Sequence, residues 1–275
     1  MECVISSDIQ ALKPYIGEDA LRRLPSNRHI SYQVEGRGYF LSFYVLSVKE
    51  LGDKEQRVSI YFDRENLICI TENAQLRSLM TSCAKTDNYF HTLFEFFMQL
   101  TAEDIDILEH FEDRITMLED ELLTGSGSSR KSSRKIIAIR RELLRLKRYY
   151  EQLGLVISVP ADNEKGFFHG GEQRQFTAVS HRIDRLLESV LHLREYITQV
   201  REAYQAQIDI EQNNIMRIFT VITAIFLPLS LIVGWYGMNL QMPEYAWPFG
   251  YPFVILLSVV VLALTVLLFK LKKWF

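Results

Sequence analysis

Hydrophobic and polar positions change rhythm several times along the chain. In residues 1–75, blocks rich in Ile, Val, Phe and Tyr (ISYQVEGRGYFLSFYVLSV and RVSIYFDRENLICITE) are broken by turn-like stretches at 35–38, 52–54 and 64–66. Such blocks predict successive short strands. The alternation of Val58, Ile60 and Phe62 predicts a sheet with one covered face. Residues 14–24 read as a short helix, so this region is mixed α and β.

From about Asn73 the period becomes helical. FHTLFEFFMQL is strongly apolar, and Thr101-x-x-Asp104 reads as a Thr cap with a carboxylate in the first turn of the next helix. Ile105, Leu108, Ile115, Leu118 and Leu122 follow at helical spacing. TGSGSSRKSSR, 124–134, reads as a turn, and 136–153 as a basic helix with Leu143, Leu146, Tyr150 and Leu153 along one side. The expectation is an antiparallel helical hairpin followed by a loop at 160–173.

The most regular pattern comes next. Phe176, Val179, Ile183, Leu186, Val190, Leu193, Ile197, Val200 and Tyr204 alternate steps of three and four, a heptad seam that turns polar at Gln207, Glu211 and Asn214. Neither Pro nor Gly interrupts the stretch from Gln173 up to Pro228, so one long helix is predicted to run into the first of two apolar stretches. A dimerising coiled coil and a rod leading into the membrane both fit the seam.

Residues 218–238 and 251–269 form uncharged runs of 21 and 19 residues, each matching the roughly 20 residues that cross a hydrocarbon core. The 12 residues between them, NLQMPEYAWPFG, hold no Lys or Arg, whereas Arg217 precedes the first run and KLKKWF follows the second. The positive-inside rule therefore places both termini in the cytosol and the loop outside. Trp235, Tyr236, Tyr245, Trp247 and Tyr251 cluster at the outer boundary and Trp274 beyond the inner one, as in an aromatic belt. The second run is Leu/Val-rich and suits lipid. The first carries a stripe of Asn213, Met216, Thr220, Thr223, Leu227, Ser230 and Gly234 at steps of three and four, with Asn239 in line beyond its end. Such a stripe suits helix packing. It also suits a pore wall, which one span cannot enclose alone.

Composition narrows the function classes. The N-terminal MECVISSDIQALK lacks the basic start and apolar run of a secretory signal. Cys3, Cys69 and Cys83 have neither disulfide-framework nor metal-ligand spacing, which suits a reducing compartment. The net charge is −3, and the residues before Arg217 hold 27 basic against 33 acidic side chains. That balance gives no nucleic-acid footprint. His91, His110, His169, His181 and His192 are scattered without a nucleophile–base pairing, so an enzyme is not expected. Glu119, Asp120 and Glu121 read as a solvated helix face.

YGMN at 236–239, closing a first span and followed by MPE at 242–244, resembles the signature of the CorA family of magnesium transporters. The likeness continues through NNIMRIFTVITAIFLPLSLIVGWYGMN, GYPFVILL and KKWF. It implies an α+β cytosolic domain (1–85), a helical hairpin (86–172), a long stalk helix (173–217) and a C-terminal two-helix transmembrane hairpin (218–275). It implies a homopentameric funnel in the inner (plasma) membrane, with no organic cofactor. Gly237, Met238 and Asn239 would form the outer selectivity filter for hydrated Mg²⁺. Asn213, Met216, Phe219 or Thr220, Thr223, Leu227, Ser230 and Gly234 would line the pore, with Met216 and Leu227 as apolar constrictions. Glu244 would recruit cations to the mouth. Two departures stand out. Leu240 and Gln241 follow the Asn where many members carry an acidic residue. His181 stands about where a regulatory Asp is expected, with Asp184 one turn later. Imidazole favours Zn²⁺, Co²⁺ or Ni²⁺ over Mg²⁺, so the zinc-transporting ZntB branch is the alternative implied. A non-conducting membrane-anchored module is a third.

Overall fold

The computed structural model describes residues 2–23, 29–34, 38–46, 55–84, 88–124, 129–163, 166–239 and 247–272. The chain divides into two compact units, Met1–Arg201 and Glu202–Phe275.

The first unit is built on a five-stranded sheet. Strands β1 (Glu2–Ser6), β2 (Ile30–Val34), β3 (Gly38–Val45), β4 (Gln56–Asp63) and β5 (Asn66–Thr71) lie in the order β1-β5-β4-β3-β2. β1 runs parallel to β5 and the other pairs are antiparallel. β1 was not predicted, because five residues at a chain start carry too little periodicity to register.

Both faces of the sheet are covered, where the sequence predicted one. On one face Tyr39 pairs across the ladder with Phe62, and both stack on Phe168, while Phe176 stacks on Phe62. On the other, Leu12, Phe40, Tyr61, Ile68 and Ile70 form a second core beneath a 3₁₀ turn (Ile9–Leu12) and helix α1 (Lys13–Arg23). α1 kinks at Gly17, whose φ of 77° lies in the left-handed region that glycine tolerates. Residues alternating with the predicted apolar set are therefore buried too. Ser42 and Ser59 resolve the cost of that burial by hydrogen-bonding each other across the strands at 2.9 Å.

Helices α2 (Ala74–Cys83) and α3 (Tyr89–Leu100) each open on an asparagine cap. Asn73 accepts from the backbone N–H of Gln75 and Leu76, and Asn88 from those of Phe90 and His91. α4 (Asp104–Leu123) and α5 (Ser129–Asp162) form the predicted hairpin, but both predicted breaks are narrower. α5 takes in 129–134 and continues through Pro160, and α6 (Gly170–Tyr236) begins inside the expected loop.

α6 carries the heptad seam, and the chain itself buries it. Phe176, Val179, Ile183, Leu186, Val190, Leu193, Ile197 and Val200 are all buried within the single chain. Among the residues that bury with them are Leu108, Phe111, Ile115 and Leu118 of α4 and Ile139, Leu143, Leu146 and Leu153 of α5. A seam consumed this way is not available for a self-paired coiled coil.

The cap predicted at Thr101 is absent. The Thr101 hydroxyl donates back to the Phe97 carbonyl, ending α3, and its oxygen accepts from Arg182 Nε on α6 at 2.9 Å. Arg182 Nη2 also donates to the Thr101 carbonyl at 2.8 Å. Asp104 stands in the first turn of α4 as expected, but it is buried and accepts from Tyr150 Oη on α5 at 2.9 Å. This polar joint ties α3, α4, α5 and α6 together. The triplet read as a solvated face is also partly engaged. Glu119 accepts from Tyr196 Oη at 2.6 Å and Glu121 pairs with Lys135, so only Asp120 stands fully exposed.

Burial pushes the Asp104 carboxyl up to about 6, with Glu103 adding to the rise and the Tyr150 hydrogen bond and Arg182 opposing it. Between its ordinary value of 3.8 and about 6 the folded chain keeps a proton that the unfolded chain has released. The stability this confers is full below pH ~4 and is lost as pH rises through ~6. Asp104→Asn keeps an acceptor for Tyr150 and removes the titration. Denaturation of the full chain should find it more stable than wild type at pH 7.5, by up to ~3 kcal/mol, with the gap closing toward pH 4. A gap that is the same at both pH values would contradict the assignment.

Candidate ion pathway

The second unit holds the C-terminal part of α6 and helix α7 (Gly250–Leu271). Both are long and apolar enough to cross a membrane. Helices satisfy their own backbone groups, as a spanning segment must.

Each span has one shielded stripe. In α6 the less exposed positions are Val221, Ala224, Ile225, Pro228, Leu229, Ile232 and Tyr236; in α7 they are Val254, Leu257, Ser258, Val261, Thr265 and Phe269. Both sets recur every three or four residues, and within this unit the two spans are the elements available to shield each other. At about 100° per residue, the stripe Asn213, Met216, Thr220, Thr223, Leu227, Ser230 and Gly234 falls on the opposite side of α6. All seven are exposed, Met216 at 62% and Leu227 at 65%, and so is Phe219 at 61%. The structure thus brings the predicted stripe onto one face that is open among the described residues. The Thr220 hydroxyl donates to the Met216 carbonyl at 2.8 Å, which leaves its oxygen lone pairs toward that face.

At the end of α6 the Gly237 N–H donates to the Val233 carbonyl at 2.9 Å and the Met238 N–H to that of Trp235 at 3.3 Å. Position 237 is tight within the chain, since a Cβ there would sit 2.9 Å from the Val233 carbonyl oxygen. Asn239 follows two residues later and is exposed, as is Met238. Of the belt, Trp235, Trp247 and Tyr251 are exposed, and Trp247 packs against Phe249 and Phe253. Leu240, Gln241, Glu244, Tyr245 and Trp274 lie outside the described residues.

His181 and Asp184 are exposed on α6 in the first unit. Among the described residues no group of three or more His, Cys, Asp or Glu side chains converges as a metal site. The shared joint around Arg182, one residue beyond His181, was not foreseen. An Arg beside a heptad seam reads as ordinary helix surface until the end of α3 is placed next to it.

The full chain resembles the complete structure of a CorA magnesium transporter from Methanocaldococcus jannaschii. The TM-score is 0.76 at 20% identity, over 99% of this chain and 91% of that one. The cytoplasmic domain of ZntB from Vibrio parahaemolyticus matches with a TM-score of 0.59 at 12% identity, over 74% of this chain and 84% of that one. Both likenesses concern the fold: a sheet domain, a long helix and, in the first, a spanning end. In sequence, the cobalt/magnesium transport protein CorA of Thermotoga maritima is 27% identical over 185 residues, 67% of this chain. That match spans about half (52%) of the relative's own length. The family model described as CorA-like Mg²⁺ transporter protein matches residues 6–273, and the chain belongs to that family of membrane transporters.

Proposed function

We propose that five copies of the chain assemble into a channel for divalent cations, with Mg²⁺ uptake as its activity. The observation that carries this reading is the exposed polar stripe of α6, which faces away from the shielded side, with the exposed Asn239 following three residues after the helix ends at Tyr236. Thr220, Thr223 and Ser230 put hydroxyls on one face of an otherwise apolar span, and such a face is better met by another polar surface than by lipid. It becomes favourable when several copies turn it toward a shared water-filled axis.

In this reading Asn239 from each copy presents a neutral carboxamide at the outer mouth, beside Gly237 and Met238. Mg²⁺ sheds its water reluctantly. A ring of carboxamides can hydrogen-bond the hydrated ion without holding it too tightly to leave, which conduction requires. Thr220, Thr223 and Ser230 continue the polar path, Met216 and Leu227 narrow it with apolar rings that gate by dewetting, and Asn213 marks its inner end. Glu244 attracts cations to the mouth. The protein sits in the inner membrane with both termini cytosolic. His181 and Asp184 act in regulation, as ligands completed by a neighbouring copy. The second reading, Zn²⁺ transport, is favoured by His181, since imidazole selects softer ions than Mg²⁺.

Replacing Asn239 by Ala should lower Mg²⁺ flux into proteoliposomes by at least ~tenfold while leaving the assembled mass unchanged, since one lost charge-assisted hydrogen bond is worth about 1.5 kcal/mol or more. Undiminished selective flux would remove Asn239 from the filter. In the same assay Mg²⁺ should enter down its gradient and compete with Co²⁺. Zn²⁺ entry with no Mg²⁺ entry would replace the first reading by the second.

A further inference from the structure

The hairpin helices differ sharply in charge. α4 carries eight acidic residues against one arginine, and α5 carries nine basic residues against three acidic ones. Only part of this is neutralised between them, through Arg114–Glu142 at 2.8 Å and Lys135–Glu121. Part of the remainder lines two grooves, one between α4 and α6 and one between α5 and α6.

The groove between α4 and α6 encloses about 400 Å³ and is lined by Ile105, Leu108, Glu109, Glu112, His192 and Leu193 among others. The groove between α5 and α6 encloses about 280 Å³ and is lined by Ile137, Arg140, Arg141, Leu144 and Arg194 among others. Each joins an apolar floor to a rim of one sign. Ile105 is 48% exposed in the first, and Ile137 and Leu144 are 49% and 36% exposed in the second. Among the described residues, neither the guanidinium groups of Arg140, Arg141 and Arg194 nor the carboxylates of Glu109 and Glu112 have an ion-pair partner within the chain.

We propose that these two grooves are the two halves of one interface: the acidic α4–α6 groove of one copy receives the basic α5 edge of the next. The inference rests on the multi-copy reading above and says which surfaces meet. Three observations favour a second copy of this chain as the occupant. The rims are complementary in sign, and both offer exposed aliphatic side chains to bury. The two surfaces differ, so contact between them is head-to-tail, the kind that repeats into a ring rather than stopping at two. They also stand at overlapping levels along α6, at 189–196 and 194–198, so successive copies need no rise along the axis and the ring can close. The hairpin contacts agree: Arg114 meets Glu142 and Asp104 meets Tyr150, which puts Glu112 level with Leu144 along the hairpin.

The test uses the full chain in detergent with Cys3, Cys69 and Cys83 replaced by Ala. Carrying Glu112→Cys and Leu144→Cys together, it should oxidise to covalent species that extend past the dimer to five chains. Each single-cysteine protein should stay uncrosslinked. Adding R140E and R141E should cut the yield at least ~tenfold by placing like charges opposite one another. Adding E109K to that protein should restore it, which a merely misfolded variant could not do. A product that stops at the dimer, or a yield indifferent to charge reversal and to its reciprocal, would overturn the interface. So would the absence of crosslinks from a species of five-chain mass, as expected if anionic lipid covers the α5 arginines, and that result would leave the pentamer standing. A monomer or dimer mass for the unmodified chain would instead remove the multi-copy reading beneath it.

Discussion

The constraint on which the rest depends is that one helix, α6, must serve two solvents. In its first part, within the sheet-bearing unit, its apolar seam is buried, with Phe176 against Phe62 of β4 and α4 and α5 lying alongside. Water drives that packing, because each Leu, Ile or Val removed from it stabilises the fold by about 1.5–3 kcal/mol. In its last part lipid replaces water, and burying apolar surface brings no comparable gain. There the logic reverses. The apolar residues can stay exposed, as Phe226, Leu231 and Val233 do, and the polar stripe is what needs covering. Among the described residues the stripe stays exposed, and the multi-copy reading rests on that exposure.

The same reversal explains which parts of the molecule were legible in the sequence. The spans and the long helix were plain, because two uncharged runs and an uninterrupted heptad seam have few other solutions. What the seam packs against was not legible. A period of 3.5 fits a partner helix from the same chain as well as one from a copy, and the choice is made by α4 and α5, which lie earlier in the sequence. Sheet coverage failed for a similar reason. Ser59 and Tyr61 look solvent-facing in β4 until α1 and the turn before it close over them. The cap at Thr101 was misread because a Thr three residues before an Asp fits the start of α4 and the end of α3 equally well, and Arg182 decides between them.

At the candidate ion path, the stripe's residues were named from spacing and the structure gives them a common exposed face. Gly237 also meets a constraint within its own chain, where a Cβ would sit 2.9 Å from the Val233 carbonyl oxygen. The hairpin charges were the least legible feature. Acidic α4 and basic α5 look like ordinary solvated helices one at a time, and their part in two separate grooves is visible only when α6 stands beside them.

The central claim is that the stripe, and not the other faces of α6, meets water in the assembled protein. Single cysteines at Thr223, Leu227 and Ser230, and at Val221, Ile225 and Leu229 as controls, can be probed with a charged thiol reagent during ion flux in proteoliposomes. The first three should be modified and should block flux when modified, and the controls should resist. Equal reaction around the helix, or reaction confined to the control positions, would contradict the account.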